Sequence, residues 1–185
     1  GTAGACRPAA ADRDREPAGT VDSVVPRARE LAEFRRGFVA ATRLEGGEPT
    51  REALVRRFVR ALETGDTIAL RRQLLSRAEF AWLYYPTTTQ AGPPYDLGPD
   101  LLWFTLFQRS DRDIALALRE FGGRPFGYLG HTCAAAPRVE GDNRIWGYCA
   151  IRRRAAGRQP TTERLFGLII ERGGRYKFVS YANKL

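Results

Sequence analysis

Two periods of apolar residues divide this chain. Between residues 27 and 121 they recur about every three to four positions, the spacing of amphipathic helices; beyond Pro125 they alternate, the spacing of strands. The segment 27–44 is expected to be a helix with Leu31, Phe34, Phe38 and Ala41 on its apolar face, stopped by Gly46-Gly47. Thr50 then caps a stronger helix whose stripe is Leu54, Phe58, Ala61 and Leu62, widened by Val55 and Val59. Gly65 ends that helix, and Asp66 caps the next, which carries Ile68, Leu70, Leu74 and Leu75. Ser76 followed by Glu79 has the capping-box pattern, opening a short helix through Phe80, Leu83 and Tyr84 that Pro86 closes.

Residues 87–98 read as a long loop, a length often tied to function in compact domains. Pro99 suits a first helical position, followed at helical spacing by Leu102, Trp103, Leu106 and Phe107. Ser110 with Asp113 is expected to start one more helix with Ile114, Ala117, Leu118 and Phe121, ended by Gly122-Gly123. After Pro125 the segments 126–135, 144–153, 164–171 and 175–182 read as four strands. Arg172-Gly173-Gly174-Arg175 is a tight hairpin turn that pairs Ile169 with Phe178, Leu168 with Val179 and Phe166 with Tyr181. Neighbouring pairs point to opposite faces, so both faces of this hairpin are apolar. One packs on the helices; the other needs cover from a partner subunit or from more of the chain. The fold class is therefore α+β, with helices first and a curved four-stranded antiparallel meander last. No internal repeat is present.

Residues 1–26 are rich in Ala, Gly, Pro and alternating charge, and are expected to be a disordered tail before a single domain over 27–185. Methionine is absent, so the chain is expected to start downstream of an initiator, as after removal of a signal segment. Within the tail, Ala3-Gly4-Ala5-Cys6 resembles the end of a bacterial lipoprotein signal, with Ala3 in place of the usual leucine. Cys6 is then a candidate lipid anchor, the alternative being a stray cysteine. No stretch approaches the roughly 20 apolar residues of a membrane span.

The net charge of +9 raises the question of nucleic acid. Of 30 basic residues only Lys177 and Lys184 are lysine, and arginine accompanies abundant Ala, Gly and Pro. That is a compositional bias more than a selected basic face, and no aromatic RNA-recognition strand accompanies the charge. Cys133 and Cys149 flank the turn Glu140-Gly141-Asp142-Asn143 and fall nearly opposite each other, close enough for a disulfide. Such a bond points to an exported protein of the periplasm or cell envelope, against the alternative of two buried thiols. With a single histidine, His131, the cysteines lack metal-ligand spacing, and no metal or cofactor is expected.

The run from Arg57 through Gly65-Asp66 to Leu70 resembles the helix–Gly-Asp–helix opening of the nuclear transport factor 2-like superfamily. Leu165-Phe166-Gly167-Leu168-Ile169-Ile170 with Gly173-Gly174-Arg175-Tyr176-Lys177-Phe178-Val179-Ser180 resembles its last two strands. The resemblance covers roughly residues 50–182, with more helix between Pro99 and Phe121 than simple members have. It implies a cone whose sheet curls around an internal pocket, often dimeric through the outer sheet face. The superfamily holds isomerases, dehydratases, cyclases and many non-catalytic domains, and the fold alone chooses none.

Enzymes of that kind place carboxylate, histidine or tyrosine groups in an apolar pocket, where burial shifts their pKa. His131, on the same strand face as Cys133, is the one candidate base, with a structural role as its alternative. Asp66 reads as a helix cap. Tyr84, Tyr85, Tyr95 and Trp103 bracket the long loop, and Trp146 and Tyr148 share a strand face; with His131 these are the seven candidate pocket residues, a core role being the alternative for the aromatics. No nucleophile elbow, phosphate loop or dinucleotide fingerprint occurs. The expected function is a non-catalytic ligand-binding or assembly domain of the bacterial envelope, taking a small hydrophobic ligand or an envelope protein and forming a homodimer through its sheet. The alternative is an enzyme acting on a hydrophobic substrate in the cone.

Overall fold

A computed structural model describes residues 1–2 and 26–181. The candidate anchor Cys6 lies outside the described residues. The helices are α1 (Arg27–Arg35), α2 (Arg51–Thr64), α3 (Thr67–Arg72), α4 (Arg77–Glu79) and α5 (Pro99–Phe121). Caps form where the sequence puts them. The Thr50 hydroxyl accepts from Ala53 N–H, Asp66 accepts from Ala69 N–H, and Ser76 and Glu79 close a full capping box. Gly65 ends α2 in the left-handed conformation. After α4 the chain continues as a π-helical turn, Phe80–Tyr84, and a 3-10 turn, Tyr85–Thr87, where Pro86 allows no further helix.

Two helical expectations are corrected. The helix expected over 27–44 stops at Arg35, because Gly37 adopts a left-handed φ of 82° and turns the chain away, leaving Phe38 and Val39 exposed. The two helices expected between Pro99 and Phe121 are one helix of 23 residues. Ser110 does not cap. It is buried mid-helix, and its hydroxyl accepts from Tyr181 N–H at 3.1 Å.

The four expected strands survive as four legs of a meander, but three legs are broken in two. The result is seven strands: β1 (Tyr128–Thr132), β2 (Arg138–Glu140), β3 (Asn143–Trp146), β4 (Ala150–Arg153), β5 (Thr161–Glu163), β6 (Ile169–Arg172) and β7 (Arg175–Phe178). They form two antiparallel sheets, β1-β4-β5 and β2-β3-β6-β7, in place of the single four-stranded meander. The hairpin register is as expected: Ile169 opposes Phe178, and Val179 N–H donates to Leu168 O at 2.8 Å. Gly173 and Gly174, both at positive φ, make the turn that side chains would strain. Cys133 and Cys149 are bonded (S–S 2.05 Å) at the seam between the sheets, just beyond β1 and just before β4.

The four-stranded sheet has a core on each face. On one side Ile169 and Phe178 join Phe58, Leu62, Phe166 and Tyr181, with Ile114 and Phe121 from the C-terminal half of α5. On the other, Ile145, Ile170 and Val179 join Phe34, Phe80, Tyr84 and Tyr85, with Leu102 from the N-terminal half of α5. The second hairpin face is therefore covered by more of the chain. Helix α5 runs unbroken because it serves both cores. The outer edge of β7 is covered too: Glu48 and Tyr176 exchange backbone hydrogen bonds, and Phe178 N–H donates to Gln73 O.

Lys177 of β7 is buried with Glu79, Nζ to Oε2 at 2.7 Å. Glu79 also accepts from the N–H groups of Glu45 and Ser76, and Lys177 donates to Glu45 O. The pair thus ties three separate segments at one point, with its polar groups satisfied. Lys177→Met leaves the Glu79 carboxylate buried without its cation and is expected to cost about 3–5 kcal/mol in urea unfolding. A Cys133→Ser/Cys149→Ser double variant, which opens a loop of 16 residues, is expected to lose about 3 kcal/mol in the same measurement.

Candidate functional site

The titratable groups of the sequence meet where the start of α2 lies against the two sheets. His131 of β1 opposes Ile151 of β4, whose side chain is buried in the first core, so the imidazole lies on the inner face. It is 8% exposed. Tyr128 is three residues earlier, a spacing that puts strand residues on opposite faces. Here the extra residue Leu129 bulges from the β1–β4 pairing and reverses the parity. The Tyr128 hydroxyl donates to Glu52 Oε2 at 3.0 Å and lies 3.0 Å from His131 Nδ1, which is itself 3.2 Å from the same carboxylate oxygen.

Neighbouring cations complete the cluster. Arg56, one turn along α2, pairs with Glu52 and lies over the Tyr128 ring at 5.0 Å. Arg51 stacks on Trp146 at 3.7 Å, and Trp146 Nε1 donates to Glu171 at 3.0 Å. Burial, reinforced by the Glu52 carboxylate, raises the Tyr128 phenol far above its ordinary range and keeps it protonated. Burial lowers His131, with Arg51 and Arg56 adding to the effect and Glu52 opposing it. The imidazole is thus neutral near pH 7 with Nδ1 turned to Glu52 and Tyr128, an arrangement that can hold a proton acceptor at Nε2.

A cleft of about 350 Å³ adjoins β1, lined by Leu129, Gly130, His131, Thr132, Ala150, Arg152 and Thr162. Gly130, Thr132, Ala150, Arg152 and Thr162 pair along the opposite face of the sheet from Ile151, so His131 borders the cleft while its imidazole is held by Glu52 and Tyr128 on the other face. The three groups of the Glu52–Tyr128–His131 cluster satisfy one another, and the imidazole turns inward.

The seven candidate pocket residues do not converge on one pocket. Tyr84 and Tyr85 are fully buried in the second core, where the Tyr85 hydroxyl donates to Leu97 O and ties the loop down. Trp103 packs on Phe80 and Phe34 in the same core. Tyr95 is exposed. Tyr148 does not share a face with Trp146: it turns out of the strand at φ 53°, at the seam, and is 85% exposed. Tyr84, Tyr85 and Trp103 meet around Phe80 inside the second core, and His131 and Trp146 are bridged by the consecutive residues Arg51 and Glu52. Glu52 and Tyr128 escaped the sequence reading because the bulge at Leu129 leaves no mark in the apolar alternation. Among the described residues no group of His, Cys, Asp and Glu could hold a metal ion.

Comparison with family models, curated proteins and solved structures found no match to this chain.

The unfolded chain takes up a proton on His131 near its ordinary value of 6.5, the folded protein only at lower pH. The histidine contribution to stability is therefore full above that value and declines as pH falls through it. His131 is the one histidine in the chain, so the urea midpoint is expected to fall between about pH 7 and pH 5.5, and His131→Phe to flatten that part of the profile.

Proposed function

We propose that this chain is a domain of the nuclear transport factor 2-like kind that works as a non-catalytic binding or assembly module in the bacterial cell envelope. The α2–Gly65-Asp66–α3 opening and the four-legged antiparallel meander that closes with the β6–β7 hairpin support the family reading. The Cys133–Cys149 bond supports an oxidising compartment.

One observation carries the non-catalytic part. The space between α2 and the sheets, where a cone enzyme would hold its substrate, is occupied by rings in mutual contact. Phe58 meets Phe166, Phe178 and Tyr181 at centroid distances of 5.4, 5.7 and 5.4 Å, and the Tyr181 hydroxyl donates to Leu70 O. Close-packed aromatic side chains of this kind leave no room for a ligand without rearrangement. Binding then belongs to the outer surface, and the Glu52–Tyr128–His131 cluster is a structural clasp between α2 and β1. The competing reading, an enzyme using His131, draws on the same cluster.

Co-sedimentation with isolated bacterial envelope separates the two. The oxidised chain is expected to bind saturably, and His131→Ala to bind as well as the unaltered chain. A chain that stays in the supernatant overturns the proposal, as does turnover of a small hydrophobic carbonyl compound that His131→Ala abolishes.

A further inference from the structure

The clearest unassigned recess lies beyond the C-terminal end of α5. It measures about 690 Å³ and is lined by Arg124, Arg153, Arg154 and Arg158 around a floor that includes Phe121 and Pro125. A second recess of about 260 Å³ shares Phe121, Arg153 and Arg158 with it and extends towards Thr161. Basic side chains elsewhere are mostly engaged. In the groove along α2, Arg56 pairs with Glu52 and Arg57 with Glu48, which leaves Arg60 as the one arginine there without a carboxylate partner among the described residues. In the α5 recess only Arg153 is engaged. Its Nε donates to Phe126 O, its guanidinium lies over the rings of Phe121 and Phe126, and Glu163 is 3.8 Å away. Arg124, Arg154 and Arg158 have no carboxylate partner among the described residues.

The backbone holds these three cations together. Arg154 N–H donates to Gly127 O at 2.8 Å, which clamps the segment bearing Arg124 against the segment bearing Arg154. The approach is so close that a Cβ on Gly127 would fall 1.9 Å from Arg154 O, and φ there is +74°. A turn closed by Arg158 N–H to Ala155 O brings Arg158 back to the same side. Bringing like charges together is unfavourable unless an anion joins them, and planar guanidinium groups match phosphate oxygens two at a time. Glu120 and Glu163 flank the arginines in the paired recesses. They interrupt the basic surface and favour one compact anionic head over a long polyanion.

We propose that this recess binds a phosphate-bearing amphiphile, its phosphoryl group on Arg124, Arg154 and Arg158 and its apolar part against Pro125, Ala155 and Ala156. The inference rests on the binding reading above and names the ligand chemistry for it. Such a ligand comes either from the headgroup layer of a membrane or as a free lipid phosphate.

The test is calorimetric titration of the oxidised full chain with octyl phosphate, inorganic phosphate and octyl glucoside. Octyl phosphate is expected to bind more tightly than inorganic phosphate, and octyl glucoside not at all. Arg154→Glu/Arg158→Glu is expected to weaken octyl phosphate at least about tenfold, since each lost charge-assisted contact is worth roughly that factor. Arg60→Glu/Arg72→Glu, with the same change in net charge and the same unfolding midpoint, is expected to leave it unchanged. Vesicles with and without phosphatidic acid separate the sources. Binding to the acidic vesicles that octyl phosphate displaces assigns the ligand to a bilayer, and octyl phosphate binding alone assigns a free amphiphile. No octyl phosphate binding, or equal loss in both double variants, overturns the inference. If envelope co-sedimentation persists in that case, the binding reading stands without it; if His131-dependent turnover appears while octyl phosphate still binds, the reading falls and the recess remains.

Discussion

The β6–β7 hairpin is apolar on both faces, and the rest of the molecule is arranged to keep water from each. Burial of apolar surface is the main favourable term in folding, and an uncovered sheet face would forfeit it. The chain meets the constraint by splitting its helices. One group, around Phe58, covers Ile169 and Phe178, and another, around Phe80, covers Ile170 and Val179. Helix α5 runs along both groups, which is why a serine that would otherwise begin a new helix is carried through its middle.

Two polar devices lock that sandwich. Among the described residues Lys177 is the one lysine of an arginine-rich chain, and it sits on the hairpin itself, buried against Glu79. Its compact ammonium fits where a guanidinium fork would demand more partners. Glu79 in turn is held by the capping box and by Glu45, so an error in placing any of the three segments would expose a charge to an apolar interior. At the other end of the meander the disulfide joins the legs where both lose their regular pairing, at the seam between the sheets. A covalent link there holds two short sheets in one relation.

These features bear on function through rigidity. Rings in mutual contact fill the interior, and the histidine is engaged by its neighbours on α2 and β1. What the chain leaves available is its surface chemistry, above all the arginines clamped together beyond α5, which lack the carboxylate partners that Arg56 and Arg57 have.

What could be read directly from the residues were relations between near neighbours. Thr50, Asp66 and Ser76 cap helices because each bonds a backbone group three positions on. Gly173-Gly174 sets the register of the last hairpin because a two-residue turn permits one pairing. Cys133 and Cys149 followed from the same counting across a turn. Other relations lay beyond that reach. The bulge at Leu129 brings Tyr128 and His131 to one side, and Glu52 reaches them from 76 residues away from Tyr128. Tyr84 and Tyr85 face the core and not a pocket because the hairpin's second face needed cover. The straight passage of α5 and the breaking of three strands depend on how two cores share one sheet. A single sequence records each residue's preferences; which distant partner meets them is decided only when the whole chain packs.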